Sequence, residues 1–326
     1  MPRRTAFEYH SRLATLIERF IAEKRACGYK FDVAAESLWR LDRFLCAHAL
    51  AEPVLPKALV EQWIAKDPNE SLRTHHMRIG LMRRFAGFLN RHGCAAYVPV
   101  PGLESRRNPG FVPRILTNDE MQRLFVAADA IPARAVSPQR HRVMPEMIRL
   151  LYGCGLRVSE VIHLRFRHVD LVSGILTIQQ SKFRKDRLVP MTAAVTERLR
   201  RYASLVSDQS DNAYFFPSPR SGSYHRHTIY HMFRQLLWKC GISHGGRGRG
   251  PRLHDLRHTF AVHRLLAWYK EGVDLHAKLP VLATYMGHHS ITDTQMYLQL
   301  TAELFPYLTN RVEESFGHVI PRRMQP

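Results

Sequence analysis

The stretch His254-Asp-Leu-Arg257-His258-Thr-Phe-Ala261 decides how the rest of the sequence is interpreted, because it brings two imidazoles and one guanidinium within five residues. Helical spacing of apolar residues surrounds this stretch, and residues four positions apart lie on one face of a helix. An imidazole can accept a proton near neutral pH, whereas an arginine offers a charged fork that matches phosphate oxygens. The stretch therefore predicts a helix that carries part of a site for a phosphate group.

The same two histidines also fit a second interpretation, which is a zinc site. Their spacing matches the zinc-binding pattern H-E-x-x-H, with Asp255 in the position of the glutamate. Against zinc, Arg257 would place a permanent cation beside the metal, and the sequence signals no third ligand. We therefore favour the phosphate interpretation without a metal, in which His254 takes part in the chemistry and His258 is a packed or supporting residue.

Three other pieces of the same region bring residues suited to a phosphodiester. They are Gly155-Leu-Arg157-Val-Ser-Glu160, the turn Ser181-Lys182, and Gly287-His288 followed by Tyr297. Phosphoryl transfer is mainly positioning and neutralisation of charge on the nonbridging oxygens, which two arginine forks can provide. Arg157 and Arg257 are the candidates for that role, and His288 is the candidate for a further phosphate ligand.

Tyr297 is the candidate nucleophile. A free tyrosine has a pKa near 10, so holding it as a phenolate at pH 7 costs about 4 kcal/mol, which a base or a positive field has to offset. His254 is the expected proton acceptor. Lys182 lies on a turn between two short strands, from which it can reach and protonate the departing 5′-oxygen.

Several of these assignments have competitors. The competitors are Arg184, Lys185 and Arg187 for the acid role, and Tyr285 and Tyr307 for the nucleophile. Tyr297 is preferred because its separation of nine residues from His288 is the one that resemblance to a known family implies. Glu160 is either an ordinary carboxylate on a helix surface or a buried carboxylate that orients Arg157, and its apolar neighbours favour the buried alternative.

The remainder of the chain divides into two helical regions. Apolar residues recur at helical spacing from about residue 7 to residue 91 in four clusters, which predict a four-helix unit. Between Gly93 and Pro113 this pattern stops and prolines and glycines accumulate, which is typical of a linker. We therefore expect an N-terminal helical domain at 7–93, a linker at 94–113 and a second domain at 114–326.

The second domain is also expected to be mainly helical. Thr117 and Glu120 form a capping-box pattern at the start of its first helix. The exceptions to the helical pattern are Ile175-Leu-Thr-Ile178 and Arg187-Leu-Val-Pro190, which predict a small β-hairpin with a basic turn. The fold class predicted from the sequence is therefore mainly α, with two domains and one small hairpin in the second.

The charge of the chain indicates a polyanionic partner. The formal net charge is +20 and the sequence pI is about 10.3. No run of about 18 apolar residues could span a bilayer, and the five cysteines form no C-x-x-C pair, so we expect a reducing cytoplasm and no membrane. The candidate DNA-binding residues are Arg73, Arg83, Arg84, Arg106, Arg107, Arg184 and Lys185.

Taken in order, the motifs resemble those of the tyrosine recombinases, or phage-type integrases. That family's signature is Arg, Lys, His-x-x-Arg, His or Trp, and Tyr, and the corresponding residues here are Arg157, Lys182, His254, Arg257, His288 and Tyr297. The resemblance covers nearly the whole chain. One motif alone would be moderate support for the family, whereas all of them in order are strong support.

The resemblance implies a DNA clamp made of a core-binding domain with a SAM-like helical fold and a C-terminal catalytic domain. It implies four protomers on two double-stranded recombination sites, a 3′-phosphotyrosyl intermediate and strand exchange without metal, ATP or another cofactor. Glu160 would support the site. Accessory proteins, association with the nucleoid and carriage on a mobile genetic element are further expectations of this kind.

Two other functions would fit many of the same residues. One is a topoisomerase of type IB, which uses the same chemistry to relax DNA without exchanging partners. The other is a catalytically silent DNA-binding regulator, although DNA binding alone would not require Tyr297 or Lys182. The sequence favours integration, excision or resolution of DNA by site-specific recombination.

Overall fold

A computed structural model describes residues 7–48, 50–102, 112–179, 186–219, 222–245, 250–288 and 290–298. Within these ranges the chain forms twelve α-helices, one short 3-10 helix at Phe166–His168 and three β-strands. The chain folds into two compact units, Met1–Phe111 and Val112–Pro326. None of the helices in the described ranges is long and apolar enough to cross a membrane.

The N-terminal unit contains the four helices that the apolar spacing predicts. They are α1 Ala14–Ala26, α2 Asp32–Ala47, α3 Lys57–Ile64 and α4 Leu72–Arg91. Phe20 of α1 packs against Phe85 and Phe88 of α4, with ring centroids 5.4 Å and 5.1 Å apart. Burial of such large aromatic side chains is the main stabilising contribution in a small helical unit.

Part of the predicted linker belongs to this N-terminal unit. The Leu55 N–H donates to the Ala95 carbonyl at 2.9 Å, and the Tyr97 N–H donates to the Leu55 carbonyl at 2.9 Å. The division between the two compact units lies after Phe111, within the linker range predicted from composition. Proline and glycine content marks the region without showing which of its residues pair with another segment of the chain.

The C-terminal unit has eight helices in its described residues. They are α5 Asn118–Asp129, α6 Arg140–Gly153, α7 Val158–Ile162, α8 Ala193–Ala203, α9 Arg226–Lys239, α10 Leu253–Lys270, α11 Leu275–Met286 and α12 Thr292–Gln295. The predicted capping box is confirmed at the start of α5, where Thr117 and Glu120 each accept the other's backbone N–H. Helix α6 packs against α5, α8 and α10 and so lies at the centre of the unit.

The small sheet has three antiparallel strands instead of two. They are β1 Val169–Asp170, β2 Ile175–Ile178 and β3 Arg187–Pro190, in the order β1-β2-β3. The predicted hairpin is confirmed as β2 and β3, with Ile178 paired with Arg187 next to the segment that connects the strands. Strand β1 was missed because two residues are too short to show an alternating pattern.

Two glycines permit the close approach of elements around the site described below. Gly155, between α6 and α7, has a φ of +58°, and a Cβ there would lie 2.5 Å from Cδ1 of Phe260 on α10. Gly287 ends α11 with a φ of +67°, and a Cβ there would lie 2.8 Å from Nη1 of Arg187 on β3. Both positions need the left-handed conformation and the missing side chain of glycine.

Candidate active site

The candidate residues come from separate elements of the C-terminal unit, and the structure brings the described ones together. Arg157 precedes α7, His254, Arg257 and His258 lie on α10, His288 follows α11, and Tyr297 follows α12. Their proximity is visible in direct contacts and in the electrostatic influence of each arginine on the neighbouring titratable groups. Spacing in sequence predicted the residues, whereas the tertiary fold determines which of them touch.

Arg257 is the most deeply buried charge of the site. It is 1% exposed and donates from Nη1 to the Gly155 carbonyl at 2.5 Å and from Nη2 to the Met286 carbonyl at 2.7 Å. Burial, together with the charge of Arg157, lowers the pKa of Arg257 to about 10, so the guanidinium stays charged at neutral pH. This side chain therefore joins α10 to the α6–α7 turn and to the end of α11.

Glu160 is a buried carboxylate that holds two arginines. Arg157 donates from Nη1 to Oε1 at 2.8 Å, and its backbone N–H donates to Oε2 at 2.8 Å. Arg187 donates from Nη1 to Oε1 at 3.0 Å and from Nη2 to Oε2 at 2.8 Å. Burial alone would raise the pKa of Glu160, but the hydrogen bonds and charges of Arg187 and Arg157 lower it to about 2.

Tyr297 points its phenol into this charged region. The residue is 2% exposed and packs among apolar side chains of α10 and α11, and its hydroxyl lies 3.0 Å from Nδ1 of His258. Burial raises the pKa of Tyr297, although the charges of Arg257 and Arg157 oppose that effect. The phenol is therefore protonated in the free protein, and a proton acceptor lies within hydrogen-bond distance of it.

The three histidines of the site are neutral at pH 7. Burial and the Arg257 charge lower the pKa of His258 to about 4, and burial with the charges of Arg257 and Arg157 lowers that of His288 to about 3. Burial and the neighbouring charges also lower the pKa of His254, although part of this residue is exposed to solvent. The His254 and His258 rings meet edge to face with centroids 4.7 Å apart.

His288 is oriented by a residue that the sequence did not point to. Its Nδ1 lies 2.7 Å from Oγ1 of Thr294, a fully buried hydroxyl of α12, and its ring stacks at 5.9 Å on that of Tyr297. Thr294 thus fixes the orientation of the His288 ring through Nδ1. No sequence signal marks Thr294, because its role depends on how the segment after α11 folds back.

His258 and Arg187 also differ from what their sequence positions suggested. His258, expected to be packed or supporting, is the described histidine in hydrogen-bond contact with the candidate nucleophile. Arg187, considered as a competitor of Lys182, has a side chain that is 6% exposed and paired with Glu160. The buried alternative for Glu160 matches the structure, since its side chain is 5% exposed.

The zinc interpretation gains no support from the geometry. Asp255, placed in the glutamate position of the metal motif, is fully buried and accepts the backbone N–H of Arg252 at 2.9 Å. It thus caps α10 instead of accompanying the two imidazoles. Within the described residues no group of three or more His, Cys, Asp or Glu side chains is arranged to hold a metal ion.

The remaining candidates either lie elsewhere or are outside the described residues. Arg73 and Arg84 are exposed on α4 of the N-terminal unit. Arg83 is half-buried and donates from Nε to the Pro99 carbonyl at 3.0 Å. The candidates that lie outside the described residues are Lys182, Arg184, Lys185, Arg106, Arg107 and Tyr307.

The described site has more positive than negative charge. Three guanidiniums, those of Arg157, Arg187 and Arg257, share the region with the Glu160 carboxylate, and Asp293 acts on Tyr297 from its edge. Such a surplus in a partly buried region favours an anionic ligand, and arginine forks match phosphate oxygens in shape. The arrangement can bind a phosphodiester, offer it a phenol, and accept the phenolic proton on an imidazole.

Comparison with known proteins covers most of the chain. A family model described as the phage integrase family matches residues 114–303, a range that includes all the candidate catalytic residues. The Sinorhizobium fredii protein y4rB is 31% identical over 306 residues, which are 91% of this chain and 96% of that protein. The tyrosine recombinase XerD of Pseudomonas putida is 28% identical over 291 residues, covering 87% of this chain and 89% of XerD.

Solved structures share the fold. XerH recombinase, in a post-cleavage complex with a palindromic difH substrate, superposes with a TM-score of 0.63 at 17% identity, covering 92% of this chain and 83% of XerH. The Tn1549 transposon integrase, in complex with a circular intermediate DNA, superposes with a TM-score of 0.64 at 17% identity, covering 88% of this chain and 94% of the integrase. The mainly helical, two-domain fold class expected from the sequence is thus confirmed.

We expect Glu160→Gln to destabilise the fold, because it leaves the guanidiniums of Arg157 and Arg187 facing each other without a carboxylate. The ordinary pKa of 4.5 falls to about 2 in the folded state. That depression corresponds to about 3 kcal/mol of stability. The contribution is complete above about pH 5 and is lost as the pH falls through the folded pKa. The free energy of unfolding, measured with urea, should therefore be higher for wild type than for the variant at pH 7. This difference should narrow toward pH 3.

Glu197→Gln is the matched control for this prediction. Glu197 also pairs with two arginines, Arg200 and Arg201, but its side chain is 45% exposed on α8. Pairs in that setting contribute little to stability, because water screens the charges. Two outcomes would contradict the stabilising role assigned to Glu160. One is that Glu160→Gln and Glu197→Gln lower the free energy of unfolding equally, and the other is that the difference between wild type and Glu160→Gln does not change with pH.

Proposed function

The chain belongs to the phage integrase family of tyrosine recombinases, and we propose that it cuts and rejoins double-stranded DNA at specific sites through a 3′-phosphotyrosyl intermediate on Tyr297. One observation carries this proposal: a buried phenol lies 3.0 Å from a neutral imidazole within the positive field of two arginines. A nucleophile, a proton acceptor and fixed cations at one place are what metal-free phosphoryl transfer needs.

The cleavage step exchanges one phosphodiester bond for another. The Tyr297 oxygen forms a bond to the scissile phosphorus, the bond from phosphorus to the 5′-oxygen breaks, and the phenolic proton passes to Nδ1 of His258. The 5′-oxygen leaves as a hydroxyl, for which Lys182 is the proposed proton donor. Attack of a 5′-hydroxyl from another strand on the phosphotyrosine reverses these events and joins new partners.

Binding of the phosphate changes the proton affinity of the site. In the free protein the Arg257 charge helps to keep the pKa of His258 at about 4, which makes its ring a weak base. A bound phosphodiester contributes a negative charge that offsets the guanidiniums, so the His258 ring accepts a proton more readily. The site is thereby activated by its substrate, while His254 and His288 are proposed to hold the nonbridging oxygens.

The N-terminal unit is proposed to be the second half of a clamp around the DNA site. Its exposed Arg73 and Arg84 are candidates for contacts with the DNA backbone, which would bind through charge and not through base sequence. Assembly of four protomers on two sites, help from accessory proteins and association with the nucleoid belong to the same proposal. The relatives XerH and the Tn1549 integrase were both solved with DNA.

The proposal predicts a covalent adduct that depends on Tyr297. The chain should be incubated with a nicked copy of its cognate site, selected by binding from a DNA library, so that the cleaved end diffuses away and the intermediate accumulates. Wild type and Tyr285→Phe should give a protein–DNA band on a denaturing gel, and Tyr297→Phe should give none. Relaxed circles without recombinant products would indicate a topoisomerase, and the absence of any adduct would contradict the proposed enzyme activity.

A second prediction concerns the acceptor of the phenolic proton. Removing a positioned general base costs roughly 100-fold or more in rate, and we expect that loss in His258→Ala. Without the imidazole, Tyr297 has to lose its proton to water, so the residual rate should rise roughly tenfold per pH unit below the tyrosine pKa. Single-turnover cleavage between pH 6 and 9 measures both effects.

His254→Ala is the comparison for that experiment, because His254 is the acceptor that the sequence alone suggested. Loss of a phosphate ligand should lower the cleavage rate of His254→Ala without giving it the steep pH dependence. If the steep dependence belongs to His254→Ala and His258→Ala keeps the wild-type pH profile, the proton acceptor is His254.

A further inference from the structure

Arg187 stands out among the buried charges of the C-terminal unit because the cleavage step described above does not use it. Its side chain is 6% exposed and makes three hydrogen bonds, two to the Glu160 carboxylate and one from Nε to the Tyr285 carbonyl at 2.8 Å. Burying a guanidinium is costly unless every contact is well made. Arg187 is buried beside a second arginine, Arg157, and is fixed by three hydrogen bonds, which indicates that it has a specific role.

On the basis of the proposed function, we propose that Arg187 is a positioning residue for strand cleavage, which neutralises Glu160 so that the charge and free N–H groups of Arg157 remain available to the scissile phosphate. Arg187 acts through Glu160 and Arg157 and does not itself touch the phosphate. The proposal extends the set of functional residues to the first residue of β3, next to the segment that connects the strands of the hairpin.

The hydrogen bonds of the Glu160 carboxylate support this division of roles. Arg187 pairs with both carboxylate oxygens, whereas the Arg157 guanidinium reaches only Oε1, from Nη1 at 2.8 Å. The other Arg157 contact is from Nη2 to the Gly287 carbonyl at 2.6 Å. An arginine has five N–H donors, so these two bonds leave further donors of Arg157 for a phosphate. Its side chain is 19% exposed, compared with 6% for Arg187.

The charge balance leads to the same conclusion. Arg157, Arg187 and Glu160 together carry one net positive charge, and the bidentate pair leaves that charge on Arg157. Without Arg187, the Glu160 carboxylate would be compensated by Arg157 alone, and a bidentate pair between them would turn the guanidinium away from the substrate. Removal of a residue that never meets the phosphate would thus weaken the field at the phosphate.

Arg187 also fixes the segment that carries His288. Its Nε bond to the Tyr285 carbonyl reaches the last turn of α11, and its guanidinium lies directly over Gly287, where a Cβ would approach Nη1 to 2.8 Å. The Gly287 carbonyl accepts from Arg157, so both arginines hold the same turn. The hairpin, α7 and the end of α11 are therefore joined at Glu160.

The test compares two variants of similar size, Arg187→Lys and Arg187→Gln, in single-turnover cleavage of the nicked site. Lysine keeps the charge and glutamine keeps hydrogen bonding without it, so Arg187→Lys should cleave clearly faster than Arg187→Gln. Loss of a direct donor costs about 100- to 1,000-fold, and because Arg187 acts one contact away we expect roughly 10- to 100-fold for Arg187→Gln. The DNA dissociation constant should stay within about twofold of wild type, since a phosphate-positioning defect acts on the covalent step.

A methylphosphonate at the scissile position separates positioning from simple loss of structure. This group lacks the negative charge of the phosphate, so the positive field of Arg157 matters less for its cleavage. The defect of Arg187→Gln relative to wild type should therefore shrink at least several-fold on the methylphosphonate substrate. A structural defect alone would slow cleavage of both substrates equally.

Arg198→Gln is the matched control, because Arg198 also makes a bidentate pair with a buried carboxylate, Glu146, and its side-chain partners among the described residues are Glu146 and Asp129. Its cleavage rates should match wild type on both substrates. Equal rates for Arg187→Lys and Arg187→Gln, or equal defects on the two substrates, would overturn the role of Arg187. Absence of any adduct from wild type would instead overturn the proposed function on which that role rests.

Discussion

The fold around the site depends on the hydrogen bonds that the buried guanidinium of Arg257 donates. Arg257 is always charged at neutral pH and is 1% exposed, so its donors need partners that water cannot supply. The carbonyls of Gly155 and Met286 provide them, and this requirement draws the α6–α7 turn and the end of α11 onto α10. Arg157 precedes α7 and His288 follows α11, so both side chains are brought to the same place.

A second constraint is the imbalance of charge that this convergence creates. Three arginines share the region with the Glu160 carboxylate. Burial together with the charges of Arg257 and Arg157 lowers the pKa of His288, and the same two charges oppose the effect of burial on the pKa of Tyr297. In the proposed function, the negative charge of a bound phosphodiester offsets the positive surplus and raises the proton affinity of His258. Binding and activation of the nucleophile are in this view two consequences of the same charge.

Local signals in the sequence predicted much of this arrangement. Helical spacing predicted the four N-terminal helices, the Thr117–Glu120 pattern predicted the start of α5, and the strand pattern predicted β2 and β3. Each of these depends on residues close together in the chain. The motif residues of the site were recognisable because their order resembles the signature of the tyrosine recombinases.

What the sequence could not predict depends on contacts between distant segments. Arg187 and Glu160 are 27 positions apart, and they pair because the start of β3 lies next to α7 and the end of α11 in the folded chain. The choice between His254 and His258 as neighbour of the phenol depends on where Tyr297 enters the site, 39 positions after His258. Thr294 orients His288 through a contact between side chains six positions apart, which no local pattern in the sequence marks.

The most direct measurement of the central claim is the identity of the side chain joined to DNA. The trapped adduct should be digested with protease and nuclease, and the nucleotide-bearing peptide sequenced by mass spectrometry. The account predicts a nucleotide 3′-phosphate on the oxygen of Tyr297 and on no other residue. A nucleotide on another tyrosine, or on a serine or histidine, would contradict the claim that the buried phenol beside His258 is the nucleophile.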